Sequence, residues 1–502
     1  MLAPRPALRG VTLARAMGSP AMRGVTLARA MGTYHGKGRI SDPKLLGDVD
    51  SVDQRPGAGV PVGTPREAWQ SYGYETRCAS VVKVSDFAQR RAQALSLPIV
   101  LGSTYELDDT AHGARLHDKK EAAYADGDGY VYARWGSPTN EGAARQLAAL
   151  EGIGPEDEGG CMLFTSGMAA ITSALQAALR SGDHAVLPYT VYGGTHEFLV
   201  EFAQHWGIEY TLVDPTDPNE YFKAMKPNTK VVYTESPANP TCRLTDLEAV
   251  GRLVDKHAAQ TGLTRPLVMC DSTFASPFHQ RCCEIPGVDV AIHSATKYIG
   301  GHSDILAGAV TSSSATYLHE LAKVQKILGS PLAPLESFLL ARGLRTLHVR
   351  MERHGHNALE VATAVEAHPM IERMFYPGLP SHPDHDLAKR VFSSGGDKLR
   401  AKRGQTFGGM LAFIVAGDEK TALRRGRRMC ERLKVITLAV SLGGTESLIE
   451  HPASMTHAMV PREVRLAGGL DDGLVRLSVG LEDVDDLLED LLQALDGCDD
   501  GL

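Results

Sequence analysis

The chain has 502 residues, of which 43% are hydrophobic and 22% are charged, and this length allows about two or three domains with a large core. No run approaches the roughly 18 uninterrupted apolar residues of a membrane-spanning helix, so we expect no membrane partner. The net charge of −8 gives no support for a nucleic-acid-binding protein.

The eight cysteines are scattered along the chain without a Cys-x-x-Cys pair. In a chain of this length the pattern indicates free thiols in a reducing compartment. The adjacent residues Cys282 and Cys283 have no second Cys or His pair at ligand spacing, so we predict no metal site.

The amino-terminal segment differs from the rest of the chain. The decapeptide RGVTLARAMG occurs at residues 9–18 and 23–32, and residues 1–41 contain seven basic and no acidic side chains. This composition is typical of an organelle transit peptide. The alternatives are a disordered extension or a mis-assigned start, with Met22 or Met31 as the true first residue. The protein would then be organellar (mitochondrion or plastid), or otherwise cytoplasmic. Residues 42–75 are rich in Gly, Pro and Asp, so residues 1–75 are predicted to be a transit-like extension and linker.

From about residue 160 short apolar runs alternate with longer amphipathic stretches. Helical spacing of apolar residues appears at 168–179 and 247–254. Five runs are predicted to be strands: 161–164, 185–187, 231–233, 267–270 and 288–292. This alternation predicts an α/β fold with a mostly parallel sheet covered by helices on both faces. Ligands bind at the carboxyl ends of such strands, so the residues that follow each run are the candidate ligand-binding residues.

The first three runs are each followed by residues suited to a planar, anionic ligand. Ser166-Gly167-Met168 begins a helix, where free N–H groups favour an anion. Tyr192 precedes two glycines and could lie flat against a ring. Asn239 stands between two prolines and could hold a phenolate oxygen. Taken alone, each segment also fits an ordinary cap or turn.

The last two runs end in a carboxylate and an amine. Asp271 at the mouth of a buried strand needs a cationic partner, and a protonated pyridine nitrogen is one. Lys297 follows the next run, and burying its ammonium costs several kcal/mol unless it is paired, neutralised or used covalently. An imine with an aldehyde cofactor is such a covalent use, and Ser294 and Thr296 would then donate hydroxyls to the cofactor's phosphate. The joint pattern predicts an enzyme that uses pyridoxal 5'-phosphate (PLP).

The motifs together resemble the Cys/Met-metabolism branch of fold-type I PLP enzymes, which includes cystathionine γ-lyase, methionine γ-lyase and cystathionine γ-synthase. The resemblance extends from about residue 76 to 495. It rests on YARWGSPTN at 132–140, SGMAA at 166–170, YGGT at 192–195, ESPANP at 235–240, DSTF at 271–274, SATK at 294–297, SLGGTESL at 441–448 and RLSVG at 476–480.

The resemblance implies a fold-type I PLP enzyme with a mostly parallel sheet flanked by helices and a smaller C-terminal α+β domain. Residues 76–136 would be an N-terminal arm that contributes to the neighbouring active site. Residues 137–348 would form the large PLP-binding domain, and residues 349–497 the C-terminal domain. The implied assembly is a homotetramer, a dimer of active dimers.

The resemblance also implies roles for individual residues. Lys297 resembles the Schiff-base lysine and proton shuttle, Asp271 the partner of the pyridine nitrogen, and Tyr192 the stacking tyrosine that also moves protons. Arg476, with Ser441, resembles the clamp on the substrate α-carboxylate. The other implied contacts are the phosphate cradle of Gly167, Met168, Ser294 and Thr296, the phosphate-binding pair Tyr132 and Arg134 from the neighbouring subunit, Thr273 beside the cofactor, and Asn239 near both the cofactor hydroxyl and the substrate.

The predicted reaction is a γ-elimination on a sulfur amino acid, giving a thiol, ammonia and 2-oxobutyrate. Members of the family that handle cystathionine often have glutamate where Val440 stands, and valine suits the apolar thioether of methionine. Methionine γ-lyases usually have cysteine where Gly194 stands, and glycine is the cystathionine-enzyme form. The substrate therefore stays open between methionine and cystathionine. The alternatives are cystathionine γ-synthase acting on an activated homoserine and, more remotely, a non-catalytic PLP-fold scaffold.

Overall fold

The computed structural model describes residues 73–80, 95–118, 129–154, 157–458, 462–467 and 469–499. The decapeptide repeat and the predicted transit-like extension lie outside these described residues, as does the predicted linker up to residue 72. Over the described ranges, none of the helices combines the length and the apolar character needed to span a bilayer.

The larger sheet has seven strands in the order β1-β7-β6-β5-β4-β2-β3. Strands β3, β2, β4, β5 and β6 run parallel, and β7 is antiparallel to both β6 and β1. The prediction of a mostly parallel sheet is confirmed. The strands are β1 (Gly160–Phe164), β2 (His184–Pro188), β3 (Glu209–Val213), β4 (Thr229–Glu235), β5 (Leu267–Asp271), β6 (Val290–His293) and β7 (Gly308–Ser312).

Strands β3 and β7 were not predicted from the sequence, and a physical reason explains why each was missed. Strand β3 lies at the sheet edge and is only partly buried, so its sequence EYTLV lacks a continuous apolar run. Strand β7 is fully buried, but its sequence GAVTS consists of small residues that resemble a loop. The run predicted at 288–292 is also shifted, because the strand begins at Val290 and continues to His293.

Alternate residues of the central strands enter two separate apolar clusters. Leu187 and Tyr233 join the cluster that includes Ile171 and Leu175 of one helix. Val186, Val232 and Val268 join the cluster that includes Val250 and Val254 of another helix. Because successive side chains of a strand point to opposite faces, the two clusters cover the two faces of the sheet.

The smaller sheet has five strands in the order β10-β11-β12-β9-β8. Its pairs are antiparallel except for β10 with β11, and apolar residues of Leu347–Glu366 and Val484–Asp496 cover it. The predicted smaller α+β part is therefore present. Its strands are β8 (Ile371–Phe375), β9 (Met410–Val415), β10 (Thr437–Leu438), β11 (Leu448–Glu450) and β12 (Leu474–Ser478).

The helices of the described residues begin and end as follows: Tyr74–Ser80, Thr110–Asp118, Pro138–Leu150, Gly167–Ala178, Gly193–Phe198, Pro218–Ala224, Leu247–Thr261, Ser276–His279, Ala315–Leu328, Pro334–Leu344, Leu347–Glu366, His385–Val391, Asp397–Arg403, Ala422–Arg432, Arg462–Ala467 and Val484–Asp496. Two of them correspond to the helical patterns predicted at 168–179 and 247–254. The second helix continues seven residues further, to Thr261. The apolar pattern did not predict this part, because the last two turns are polar and mostly exposed.

Candidate active site

Lys297 lies in the loop that follows β6, at the carboxyl edge of the larger sheet. Its Nζ donates a hydrogen bond to Ser441 Oγ over 2.7 Å, which connects this loop to the C-terminal part of the chain. Burial, followed by the nearby Arg476 guanidinium, lowers the pKa of Lys297 to about 8, and the Glu450 carboxylate opposes the shift. The neutral, nucleophilic form of the amine is therefore accessible near neutral pH.

Asp271 ends β5 and is only 6% exposed. Its Oδ1 accepts hydrogen bonds from Thr273 N at 3.0 Å and Thr273 Oγ1 at 2.6 Å. The same threonine hydroxyl accepts a hydrogen bond from Ser294 N at 2.8 Å, so Thr273 connects the carboxylate to the lysine loop. Burial raises the pKa of Asp271, and a cationic ligand group beside it would offset the cost of keeping it ionised.

Gly167 brings the start of the helix Gly167–Ala178 against the lysine loop. Ser166 caps this helix with its side chain, and the N–H groups of Gly167 and Met168 have no acceptor within the helix because they lie in its first turn. A Cβ atom on Gly167 would lie 2.7 Å from Ser294 Oγ, so a larger residue would force these segments apart. The free N–H groups and the serine hydroxyl form a cradle suited to an anion.

Thr296 is placed differently from the other predicted phosphate ligands. Its Oγ1 donates a hydrogen bond to Ala307 O at 3.1 Å and accepts one from Ala307 N at 2.9 Å. The hydroxyl thus holds the lysine loop against the residue that precedes β7. A phosphate contact would replace the bond to Ala307 O, and the predicted role of Thr296 stays a prediction.

Tyr192 precedes the helix Gly193–Phe198, and its side chain is 47% exposed. Its backbone N–H donates a hydrogen bond to Glu235 Oε2 at 2.8 Å. A Cβ atom on Gly194 would lie 2.8 Å from Tyr192 Cε1 and 2.9 Å from Met168 Sδ. Gly194 therefore leaves the space in which the tyrosine ring approaches the helix start at Met168.

Arg476 in β12 brings the predicted substrate-binding residues together. Its Nη2 donates to the carbonyl of Ser441 at 2.9 Å, and its Nη1 donates to Asn239 Oδ1 at 3.2 Å. Nη1 also lies 3.0 Å from Glu450 Oε1, and burial lowers the pKa of Arg476. Within the described residues, the buried Nε of Arg476 has no hydrogen-bond partner, which fits a carboxylate ligand. Val440, beside Ser441, is 55% exposed.

Tyr132 and Arg134 lie in another part of the structure. The Arg134 guanidinium carbon is 5.6 Å from the centroid of the Tyr132 ring. Both line a cavity of about 240 Å³ together with Trp135 and Lys326, and the described residues that line it do not include Lys297. The pair and Lys297 do not share this cavity, and the phosphate-binding role of the pair stays a prediction about a neighbouring subunit.

Two buried carboxylates belong to the site but have no role in the sequence prediction. Glu235 ends β4 directly opposite Asp271 of β5, and Glu450 of β11 is paired with Arg476 across the smaller sheet. Glu235 could have been noticed because it follows an apolar run, as Asp271 does. Glu450 gives no comparable signal, since its contact with Arg476 depends on the pairing of two strands.

A family model described as "Cys/Met metabolism PLP-dependent enzyme" matches residues 79–496. The chain belongs to this family. The resemblance inferred from the motifs is thereby confirmed, and PLP is the cofactor.

Two relatives and one solved structure illustrate the position of the chain within the Cys/Met metabolism family. L-methionine gamma-lyase of Fusobacterium nucleatum subsp. polymorphum is 40% identical over 404 residues, covering 80% of this chain and 93% of that protein. Cystathionine gamma-lyase of Bacillus subtilis (strain 168) is 40% identical over 405 residues, covering 80% and 94%. The crystal structure of cystathionine gamma-lyase from Lactobacillus plantarum complexed with L-serine has a TM-score of 0.72 and 34% identity, covering 85% of this chain and 99% of that one.

The residues present fit the cofactor of the family. Asp271 supplies a buried carboxylate for a ring nitrogen, and Gly167 keeps open a cradle that a Cβ would fill. Lys297 supplies an amine whose pKa is lowered to about 8. The donor set therefore matches a ring cation, a phosphate and an aldehyde, which are the three recognisable groups of PLP.

Proposed function

We propose that this member of the Cys/Met metabolism family is a PLP-dependent γ-lyase that acts on a sulfur amino acid and releases a thiol, ammonia and 2-oxobutyrate. The observation that carries the proposal is the arrangement around Ser441. Its hydroxyl accepts from Lys297 Nζ at 2.7 Å and its carbonyl accepts from Arg476 Nη2 at 2.9 Å. A base and a carboxylate-binding group therefore meet at one residue, as chemistry on the Cα of an amino acid requires.

The bound cofactor supplies an electron sink for negative charge that develops on the substrate. Arg476 binds the substrate α-carboxylate through its unpaired Nε and its Nη groups, and this fixes the amino acid relative to Lys297. The neutral amine of Lys297 removes the proton at Cα, gives that proton up again, and can then remove a proton at Cβ. Water completes the reaction by releasing ammonia and 2-oxobutyrate. The phenol of Tyr192 donates a proton to the departing sulfur. Asp271 keeps the ring nitrogen charged, which maintains the electron demand.

The substrate is methionine or cystathionine. In the distal part of the site, Val440 favours methionine and Gly194 favours cystathionine. Val440 offers a half-exposed apolar side chain, which suits a thioether. Gly194 leaves open the space beside Tyr192 that a larger side chain would fill. Val440→Glu should shift the ratio of kcat/KM values toward cystathionine, because a carboxylate can pair with the distal ammonium group. An unchanged ratio would remove Val440 from the determination of specificity.

Product analysis with purified holoenzyme tests the reaction. We expect 2-oxobutyrate with methanethiol from methionine, or 2-oxobutyrate with cysteine from cystathionine, without an added thiol. Pyruvate as the keto acid would indicate β-elimination and contradict the proposal. A product formed only from an activated homoserine together with cysteine would instead identify a γ-synthase.

We further propose a homotetramer of active dimers in which the arm at 76–136 carries Tyr132 and Arg134 to the neighbouring active site. Residues 137–348 then form the PLP-binding domain and residues 349–497 the C-terminal domain. The planar Arg134 guanidinium suits bidentate phosphate binding, and it lines a cavity whose described lining does not include the lysine of the same chain.

We also propose that residues 1–45 direct the protein to a mitochondrion or plastid. The proposal rests on the basic, acid-free composition of residues 1–41. A reporter fused to residues 1–45 should enter an organelle. A purely cytosolic reporter signal would contradict the proposal and favour a cytoplasmic protein.

A further inference from the structure

Two buried carboxylates end adjacent strands of the larger sheet. Glu235 of β4 and Asp271 of β5 are register partners, and each is 6% exposed. Residues opposite one another in neighbouring strands project to the same face, so the two acidic groups are close neighbours. The Asp271 carboxylate has a proposed role at the cofactor ring, whereas Glu235 has none in the mechanism above.

The two oxygens of Glu235 hold two different loops. Oε2 accepts a hydrogen bond from Tyr192 N at 2.8 Å, and Oε1 accepts one from Asn239 N at 3.1 Å. Asn239 Oδ1 in turn accepts from Arg476 Nη1 at 3.2 Å. One buried carboxylate thus connects the loop of the stacking tyrosine, the loop of the asparagine and, through the asparagine, the arginine of the substrate site.

The ionised form suits this arrangement, because each carboxylate oxygen then accepts a backbone N–H. Burial and the neighbouring Asp271 oppose ionisation and raise the pKa of Glu235 to about 8, and the bonds from Tyr192 N and Asn239 N lower it. A cationic group bound to Asp271 would offset the repulsion between the two carboxylates. Occupation of the site by a cofactor with a protonated ring nitrogen therefore favours the form of Glu235 that holds both loops.

We propose that Glu235 is a positioning residue that sets the places of Tyr192 and Asn239 at the cofactor and, through Asn239, that of Arg476. This inference rests on the proposed function, since it deepens the account of the same site. Glutamine has the same size but a single acceptor oxygen, and its amide group would face a backbone N–H. Glu235→Gln must therefore release one of the two loops without leaving a cavity.

The test compares Glu235→Gln with Asp289→Asn as holoenzymes. Asp289 accepts a hydrogen bond from Val268 N at 2.7 Å and pairs with Arg265 at 2.6 Å, near the amino end of β5. It is a partly buried carboxylate that also accepts a backbone N–H, but near the amino ends of the strands of the same sheet. We expect Glu235→Gln to lower kcat by on the order of 10-fold or more and to change the circular dichroism of the bound cofactor. Asp289→Asn should lower only the unfolding temperature.

A double-mutant cycle with Tyr192→Phe separates positioning from general stability. If Glu235 acts through the tyrosine, the loss caused by Glu235→Gln becomes smaller when the phenol is already absent. Additive losses, or a variant with unchanged kcat and unchanged cofactor circular dichroism, would overturn the proposal.

Glu235→Asp replaces Glu235→Gln in these measurements if the glutamine variant does not fold. Aspartate keeps the charge but shortens the reach, so its cofactor spectrum should also change, and an unchanged spectrum would contradict the positioning role. Failure of the γ-lyase proposal is seen separately, as the wrong product from the unmodified enzyme. The cofactor spectrum of the variants reports on positioning whatever the product is.

Discussion

Ser441 is the residue that holds the amine and the guanidinium of the site together. Its φ of 87° lies in the left-handed region, which is unusual for a residue other than glycine and costs about 1–3 kcal/mol. The hydroxyl accepts from Lys297 and the carbonyl from Arg476. Hydrogen bonds to charged groups contribute about 1.5–3 kcal/mol each, so these two bonds are sufficient to offset the backbone strain.

Arg476→Met should raise the pKa of Lys297 above about 8, because it removes a neighbouring cation that lowers this value. Only the neutral amine attacks an aldehyde, so the apoprotein should reach half its maximal rate of PLP capture at a higher pH. Stopped-flow absorbance across a pH series measures this midpoint. Arg252→Met, at an exposed ion pair, is the control, and an equal midpoint in all three proteins would contradict the prediction.

Gly194→Ala should displace the ring of Tyr192, because the new Cβ would lie 2.8 Å from Tyr192 Cε1 and 2.9 Å from Met168 Sδ. A misplacement of this kind lowers kcat by on the order of 10- to 100-fold. Gly193→Ala is a matched control, since its Cβ would have no neighbour within 4 Å. Steady-state kinetics of both variants test the prediction. Equal kcat values would show that the position of the Tyr192 ring does not require the space beside Gly194.

At the scale of elements, the strand that leads to the lysine is anchored by the end of a helix. Glu151, which follows the helix Pro138–Leu150, has its Oε1 2.5 Å from Nε2 of His293, the last residue of β6. Both side chains are fully buried. The contact therefore connects two elements directly beside the loop that carries Lys297.

Glu151→Ala should lower the free energy of unfolding by about 1–3 kcal/mol, because it leaves a buried histidine nitrogen without its partner. Urea denaturation of the holoenzyme measures the loss. Glu248→Ala removes a carboxylate from an exposed ion pair with Arg252 and should change stability little. Equal losses of unfolding free energy in the two variants would show that the buried contact stabilises the protein no more than the exposed ion pair does.

At the scale of the whole molecule, the proposed dimer predicts complementation between inactive variants. Lys297→Ala lacks the proposed base, and Arg134→Ala lacks the proposed phosphate ligand. If each site combines Lys297 of one chain with Arg134 of another, each hybrid dimer contains one complete site. Random pairing of equal amounts then restores about a quarter of wild-type activity.

Co-expression of the two variants with different affinity tags allows hybrid dimers to be isolated and assayed. Hybrids with no more activity than either parent would mean that both residues act within one chain, or that Arg134 does not act at the site. Co-expression of Lys297→Ala with Asp271→Ala is the control. Both of these residues lie at the carboxyl edge of the larger sheet of one chain, so their hybrids should stay inactive.

Residues that follow apolar runs were predictable from the local pattern, and Ser441 and Arg476 were predicted only through the family resemblance. The contacts of Glu235 and Glu450 with distant segments were not predicted. Asp271 and Lys297 come directly after buried strands, and the structure places both at the carboxyl edge of the sheet. Glu235 follows a run as well, but its link to Tyr192 spans 43 positions of the chain. Glu450 depends on the register of β11 with β12, which the pattern of residues does not encode locally.

The amino-acid sequence by itself determined the α/β fold and indicated the cofactor, because strand periodicity and the chemistry of strand ends are local properties. The family followed from the resemblance of the motifs. The tertiary structure decided which groups meet. It joins Lys297 to Ser441, 144 positions apart, and sets Glu235 beside Asp271. Such contacts depend on strand register and on the packing of the two sheets, which the whole chain determines together.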